Sequence, residues 1–254
     1  MIADAFPTVA EVVDVLSGED WLLVGGAMTQ LHCAIQTVEY ARPTEDVDIV
    51  VDPVNGSTLF RVADALEQHG YSKVEQLNKG GYLHRFTRAD GFSVDVMGKD
   101  SSLTPNQWFG QQVVKCPGSK SALGKYHNGE WKEVIEVDLG DGRSVRIPNV
   151  WSALALKGWA LKQPDVNRER HVQDSLALFA CAARTSPKRA LTKSEREAVN
   201  FVLSQSYLAD LSNWTPLQES HYEELLLEIR RLRPQGHIDV PLPLQQFLPK
   251  PKQR

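Results

Sequence analysis

Leu22–Asp52, LLVGGAMTQLHCAIQTVEYARPTEDVDIVVD, constrains this chain more than any other stretch. It reads as a short apolar strand, a double glycine, a helix and a second strand. Asp46 and Asp48 lie one residue apart in TEDVDIVV, a run whose other members favour burial. Side chains alternate across a strand, so both carboxylates project from one face. Like charges held that close repel unless a cation stands between them. Any fold that encloses this segment has to answer that repulsion.

Two further features bear on it. In FSVDVM, Asp95 points away from Val94 and Val96, and a carboxylate on a half-buried strand needs a partner. If this strand lies beside residues 46–51, three carboxylates converge. Their hard oxygen ligands suit Mg²⁺ (or Mn²⁺), which activates an attacking hydroxyl and stabilises a leaving oxygen. Gly25-Gly26 lets backbone approach a phosphate, and the following helix offers free N–H groups and a positive dipole end. Each feature has a plainer reading. Asp46 and Asp48 then form a strand-entry turn and a salt-bridged edge, Asp95 pairs with a Lys or Arg, and the glycines make a tight turn.

Gly25-Gly26, Arg42-x-Thr44-x-Asp46-x-Asp48 and the later strand carrying Asp95 resemble the polymerase-β-like nucleotidyltransferase superfamily. The branch most similar is the AbiEii-type toxins of bacterial type IV toxin–antitoxin systems, over about residues 20–180. The resemblance implies an α+β fold, with an N-terminal nucleotidyltransferase mixed sheet flanked by helices and then an α-helical domain. It implies transfer of NMP from an NTP, with Mg²⁺, to an acceptor hydroxyl such as the tRNA 3′ end, and a cognate antitoxin as partner. Asp46, Asp48 and Asp95 become metal ligands, and Gly25, Gly26, Arg42 and Thr44 nucleotide or phosphate contacts. A family lysine and a later helical aspartate match Lys157 and Asp174, which the resemblance makes catalytic together with Asp46, Asp48 and Asp95, Lys157 also positioning the phosphates. The chain departs from the family just before Asp174, where Arg170-His171 stands in place of a Lys-Asp pair.

Lys157 also has an independent argument. Val150, Leu154, Lys157 and Leu161 form one helical stripe, and the other face is apolar too. A lysine there needs a buried anion, such as a triphosphate, or a route to water by snorkelling. Asp174 has a local alternative in Arg170 or His171. Arg42 and Thr44 have one in turn chemistry around Pro43. Other acceptors stay open, namely a small molecule such as an aminoglycoside antibiotic or a protein hydroxyl. So does a nucleotide-binding module without activity.

The sequence predicts residues 1–148 as the α/β domain and residues 149–254 as the helical domain, with a helix from Thr8 to about Leu16 opened by a Thr8–Glu11 capping box. Hairpins are expected at Tyr82–Arg88/Phe92–Met97 and Lys132–Leu139/Arg143–Ile147, and helices at 149–162, 166–184, 193–204 and 217–232. The tail VPLPLQQFLPKPKQR reads as extended. Residues 1–150 carry 13 Lys+Arg against 21 Asp+Glu, whereas 151–254 carry 15 against 11. The basic second half is consistent with an anionic partner such as RNA, or with chance surface variation. No apolar run is long enough to span a bilayer, and the acidic N-terminus lacks a signal peptide's basic region, so a cytoplasmic protein with no membrane partner is expected. Cys33, Cys116 and Cys181 form no CxxC pair, which argues against structural zinc.

Overall fold

The computed structural model describes residues 6–44, 46–51, 58–74, 82–102, 104–122, 126–127, 130–131, 133–164, 166–186, 188, 190–232 and 241–247. Its contacts divide the chain into two units. One comprises Met1–Met28 with Pro43–Asn149, the other Thr29–Arg42 with Val150–Arg254. That residues 29–42 cluster with the helical half is not foreshadowed by their sequence pattern.

The first unit begins with α1 (Pro7–Val15), β1 (Trp21–Val24), the start of α2 (Gly25–Gln36), β2 (Asp46–Val51), α3 (Thr58–Gln68), β3 (Ser72–Lys73), β4 (Tyr82–Leu83), β5 (Arg85–Thr87) and β6 (Ser93–Lys99). It continues through β7 (Gln107–Trp108), β8 (Gln111–Val113), β9 (Lys115–Cys116), α4 (Ser119–Ala122), β10 (Tyr126–His127), β11 (Glu130–Trp131), β12 (Val134–Gly140) and β13 (Arg143–Pro148). The main sheet has the order β1-β2-β6-β5-β3, with β9 alongside β6. It is mixed: β2 runs parallel to β6 and antiparallel to β1, and β5 is antiparallel to β6. Val47, Ile49, Val94 and Val96 are buried, and they alternate with the aspartates as the pleat requires.

Helix α1 opens at Pro7 after the N-cap Phe6, whose side chain makes no capping bond. The fixed φ of proline suits a first helical residue, so the expected Thr8–Glu11 capping box is not used. Glu11 instead pairs with Arg88 and accepts from the Tyr71 hydroxyl at 3.1 Å. The first expected hairpin is β5–β6, turning at Gly91 with φ +89°. Its outer residues Tyr82 and Leu83 leave that strand and pair with β8. The second hairpin is β12–β13; Lys132, at its expected start, lies outside the described residues.

Among the described residues, the second unit holds the rest of α2 and the α-helices α5 (Val150–Leu161), α6 (Arg168–Arg184), α7 (Lys193–Leu203) and α8 (Tyr222–Leu232). Asn167 caps α6 by accepting from the Arg170 N–H at 3.1 Å, with Glu169 in the first turn and Arg184 in the last, charges that suit the helix dipole. Residues 172–182 of α6 are all buried, so this is the core helix of its unit. A Thr192–Glu195 capping box starts α7. Gly158 lets α5 approach α7, since a Cβ there would stand 2.3 Å from the Ala198 carbonyl oxygen. Helix α8 begins at Tyr222, after a 3₁₀ turn over Glu219–His221, rather than at Leu217.

The tail departs from the sequence expectation. Leu242–Phe247 is a 3₁₀ helix, closed by a Leu244 N–H bond to the Pro241 carbonyl, and the Phe247 ring meets Tyr222 edge-on at 6.1 Å. An apolar ring with somewhere to pack outweighs the extended preference of the prolines. Residues 240 and 248–254 lie outside the described residues. No helix among the described residues is long and apolar enough to cross a membrane.

Candidate active site

Strand register assembles the carboxylate face of the first unit. Pairing of β2 with β6 sets Asp48 beside Asp95 and Asp46 beside Ser93. Pairing of β5 with β6 sets Arg85 on the other side of Asp95. Directly opposed residues share a face, so three aspartates and one arginine project together. The guanidinium answers the repulsion. Its Nε donates to Asp95 Oδ1 at 2.7 Å, and its Nη2 donates to Asp95 Oδ2 at 2.7 Å and to Asp46 Oδ2 at 3.3 Å. The hydrogen bond to Asp95 holds the Arg85 pKa above its ordinary value. This is the ion pair that the plainer reading of Asp95 anticipated.

Asp48 is accommodated differently. Gly25 has φ +68°, and a Cβ there would lie 1.8 Å from Asp48 Oδ2. The carboxylate therefore rests against the Cα of the first residue of α2, where the helix dipole favours negative charge. Gly25 serves Asp48 directly, and Gly26 follows it as a buried member of the same turn. The Thr44 hydroxyl lies 3.3 Å from both the Asp46 carbonyl and Asp46 Oδ1, in keeping with turn chemistry before the strand. Glu45, inside the same motif, lies outside the described residues.

Arg42, Lys157 and Asp174 gather in the second unit. Lys157 Nζ donates to Asp174 Oδ2 at 2.6 Å, and Arg42 Nη2 contacts Asp174 Oδ1 at 2.7 Å. The Tyr40 hydroxyl donates to the same Oδ1 at 2.8 Å. Lys157 is 4% and Asp174 2% exposed, so Lys157 does not snorkel. Burial works to raise the Asp174 pKa, but Lys157 and Arg42 outweigh it and hold the carboxyl below its ordinary range. Burial and the neighbouring Asp174 push the Tyr40 phenol up. Nearby His171 is pushed down to about 4 by burial and by Lys157. The boundary between units falls between Arg42 and Pro43, so the R-x-T-x-D-x-D motif is divided: Arg42 joins Asp174, and Thr44 stays with Asp46.

Two residues of these clusters, Arg85 and Tyr40, were not singled out from the sequence. Arg85 had a signal. Counting outward from Asp90 across the expected hairpin sets residue 85 opposite residue 95. Tyr40 had none, because its partner Asp174 is 134 residues away. Three aspartates offer hard oxygens that suit Mg²⁺ or Mn²⁺, and a guanidinium already stands in as a cation on their face, so the donor set fits such an ion. Among the described residues, however, no three His, Cys, Asp or Glu side chains converge as a ready-made metal cage. Elsewhere in the first unit, a polar cleft of about 300 Å³ is lined by residues including Asp14, Glu19, Trp21, Glu136, Arg143 and Arg146. It contains none of the candidate residues, and Arg143 pairs there with Asp14. In comparison with known proteins, no family model matches this chain and no curated protein matches it.

Proposed function

We propose that this chain is a nucleotidyltransferase that moves a nucleoside monophosphate from an NTP to an acceptor hydroxyl, with the tRNA 3′ end as acceptor. The observation that carries the reading is the β2–β6 register, which sets Asp48 beside Asp95 on the face shared by Asp46. Asp46, Asp48 and Asp95 would hold Mg²⁺ (or Mn²⁺), which supplies charge neutralisation along the triphosphate. Asp95 accepts the proton of the attacking hydroxyl. The new oxygen–phosphorus bond forms at the α-phosphate as the bond to the β-phosphate oxygen breaks, and pyrophosphate leaves. Gly25 keeps Asp48 seated by offering no Cβ. Lys157 and Asp174 enter this reading as a buried pair that fixes α5 to α6. A cognate antitoxin is part of the same proposal.

Incubation with each α-labelled NTP and total tRNA tests it. Label at the tRNA 3′ end is expected, and D46N abolishes transfer while its melting temperature holds. Label on a protein or an aminoglycoside alone overturns the tRNA acceptor, and full activity of D46N overturns the mechanism. One observation favours a second reading, a nucleotide-binding module without transfer: both oxygens of Asp95 already accept from Arg85. NTP binding by calorimetry with no label transferred supports that reading.

A further inference from the structure

Arg85 does more than neutralise one carboxylate. Its fork spans three strands, leaving from β5, gripping both oxygens of Asp95 on β6 and reaching Asp46 on β2. The register fixes this arrangement, because Arg85 and Asp95 are direct cross-strand partners. The arginine side chain is 42% exposed and Asp95 10%, so the cation sits at the rim and the carboxylate lies inward. Swinging the guanidinium into water leaves no cation buried, whereas the Lys157 pair is 5% and 3% exposed on its two sides and has no such exit. Two cations cannot hold the same carboxylate oxygens without repelling each other.

We propose that Arg85 is a resident counter-ion of the carboxylate face, and that a divalent cation gains Asp95 only by displacing it. The inference rests on the reading of Asp46, Asp48 and Asp95 as metal ligands. Arg85 relieves the mutual repulsion of the aspartates while no metal is held, and it sets a threshold for metal occupancy. An arginine does not lose its proton in the working pH range, so the threshold follows cation concentration rather than pH.

Mn²⁺ titration of the full chain, followed by electron paramagnetic resonance at fixed ionic strength, tests this without any turnover. R85Q is expected to bind Mn²⁺ about three- to tenfold tighter than wild type, since a partly exposed ion pair contributes about 1 kcal/mol. Mn²⁺ should also raise the melting temperature of R85Q by more than that of wild type. R85K keeps the charge but loses the fork and should fall between the two. Should R85Q fail to fold, R85K carries the comparison alone. Equal or weaker binding by the variant overturns the counter-ion role and leaves the metal reading standing, because wild type still binds. Absence of Mn²⁺ binding by wild type and variant alike overturns both.

Discussion

Asp95 in the first unit and Asp174 in the second are both buried aspartates held by an arginine, yet their surroundings differ. Asp174 accepts from Lys157, Arg42 and Tyr40, and the side chains of Arg42 and Lys157 are 11% and 5% exposed. Asp95 has a partner that is 42% exposed and shared with Asp46. Desolvating an ion costs several kcal/mol, so the enclosed cluster holds only while every member stays paired. The rim cluster keeps much of its hydration, and its ion pair contributes little to stability. One arrangement suits a fixed structural joint. The other suits a place where charges are exchanged.

That contrast breaks first at Asp174. D174A strands two cations in the core of the second unit and should cost about 3–5 kcal/mol in urea unfolding. A loss under about 1 kcal/mol would mean that the cluster is not the joint described. Next comes acid. The folded pKa of His171, about 4, lies below its ordinary 6.5, so the unfolded chain binds that proton first. Stability should therefore fall as pH drops from 6.5 to about 4, by on the order of 3 kcal/mol at most. H171Q should flatten that window. A second loss should remain below pH 3.8, as Asp174 is protonated through its depressed pKa. Melting temperature against pH for both proteins reads the difference.

Smaller effects belong to the first unit. G25A forces a Cβ into a positive-φ position and against Asp48, so it should cost roughly 2 kcal/mol. It should also weaken Mn²⁺ binding, which a purely local strain would leave alone. The smallest change in stability is expected from D46N. Asp46 is 31% exposed and meets Arg85 at 3.3 Å, so its loss should shift unfolding by less than about 1 kcal/mol. A shift as large as that of D174A would erase the distinction between the two clusters.

Local patterning carried much of this protein's organisation. The strand at Trp21–Val24, the helix from Gly25 and the strand at Asp46–Val51 follow from apolar runs, glycines and alternation, and they appear where the sequence predicts them. Charge and period also marked Asp46, Asp48, Asp95 and Lys157 as positions in need of partners. The tail failed because Phe247 found a ring to pack against. The first helix forms where expected but starts at Pro7 without the Thr8 capping box, because proline's fixed φ suits the first helical position. Those two outcomes depend on competition between neighbours, which a residue-by-residue reading weighs poorly.

By itself, then, the sequence determined which side chains carry charge that needs a partner and which elements present them, since those properties repeat every two residues in a strand and every three to four in a helix. Only the tertiary structure decided the partners. Asp95 met Arg85 through the register of a hairpin, a contact of short sequence range that counting could reach. Asp174 met Arg42, 132 residues away, and Lys157, 17 residues away, because burying α6 leaves this carboxylate no solvent and each oxygen must find a donor nearby. No periodicity encodes that meeting. It follows from which surfaces pack together.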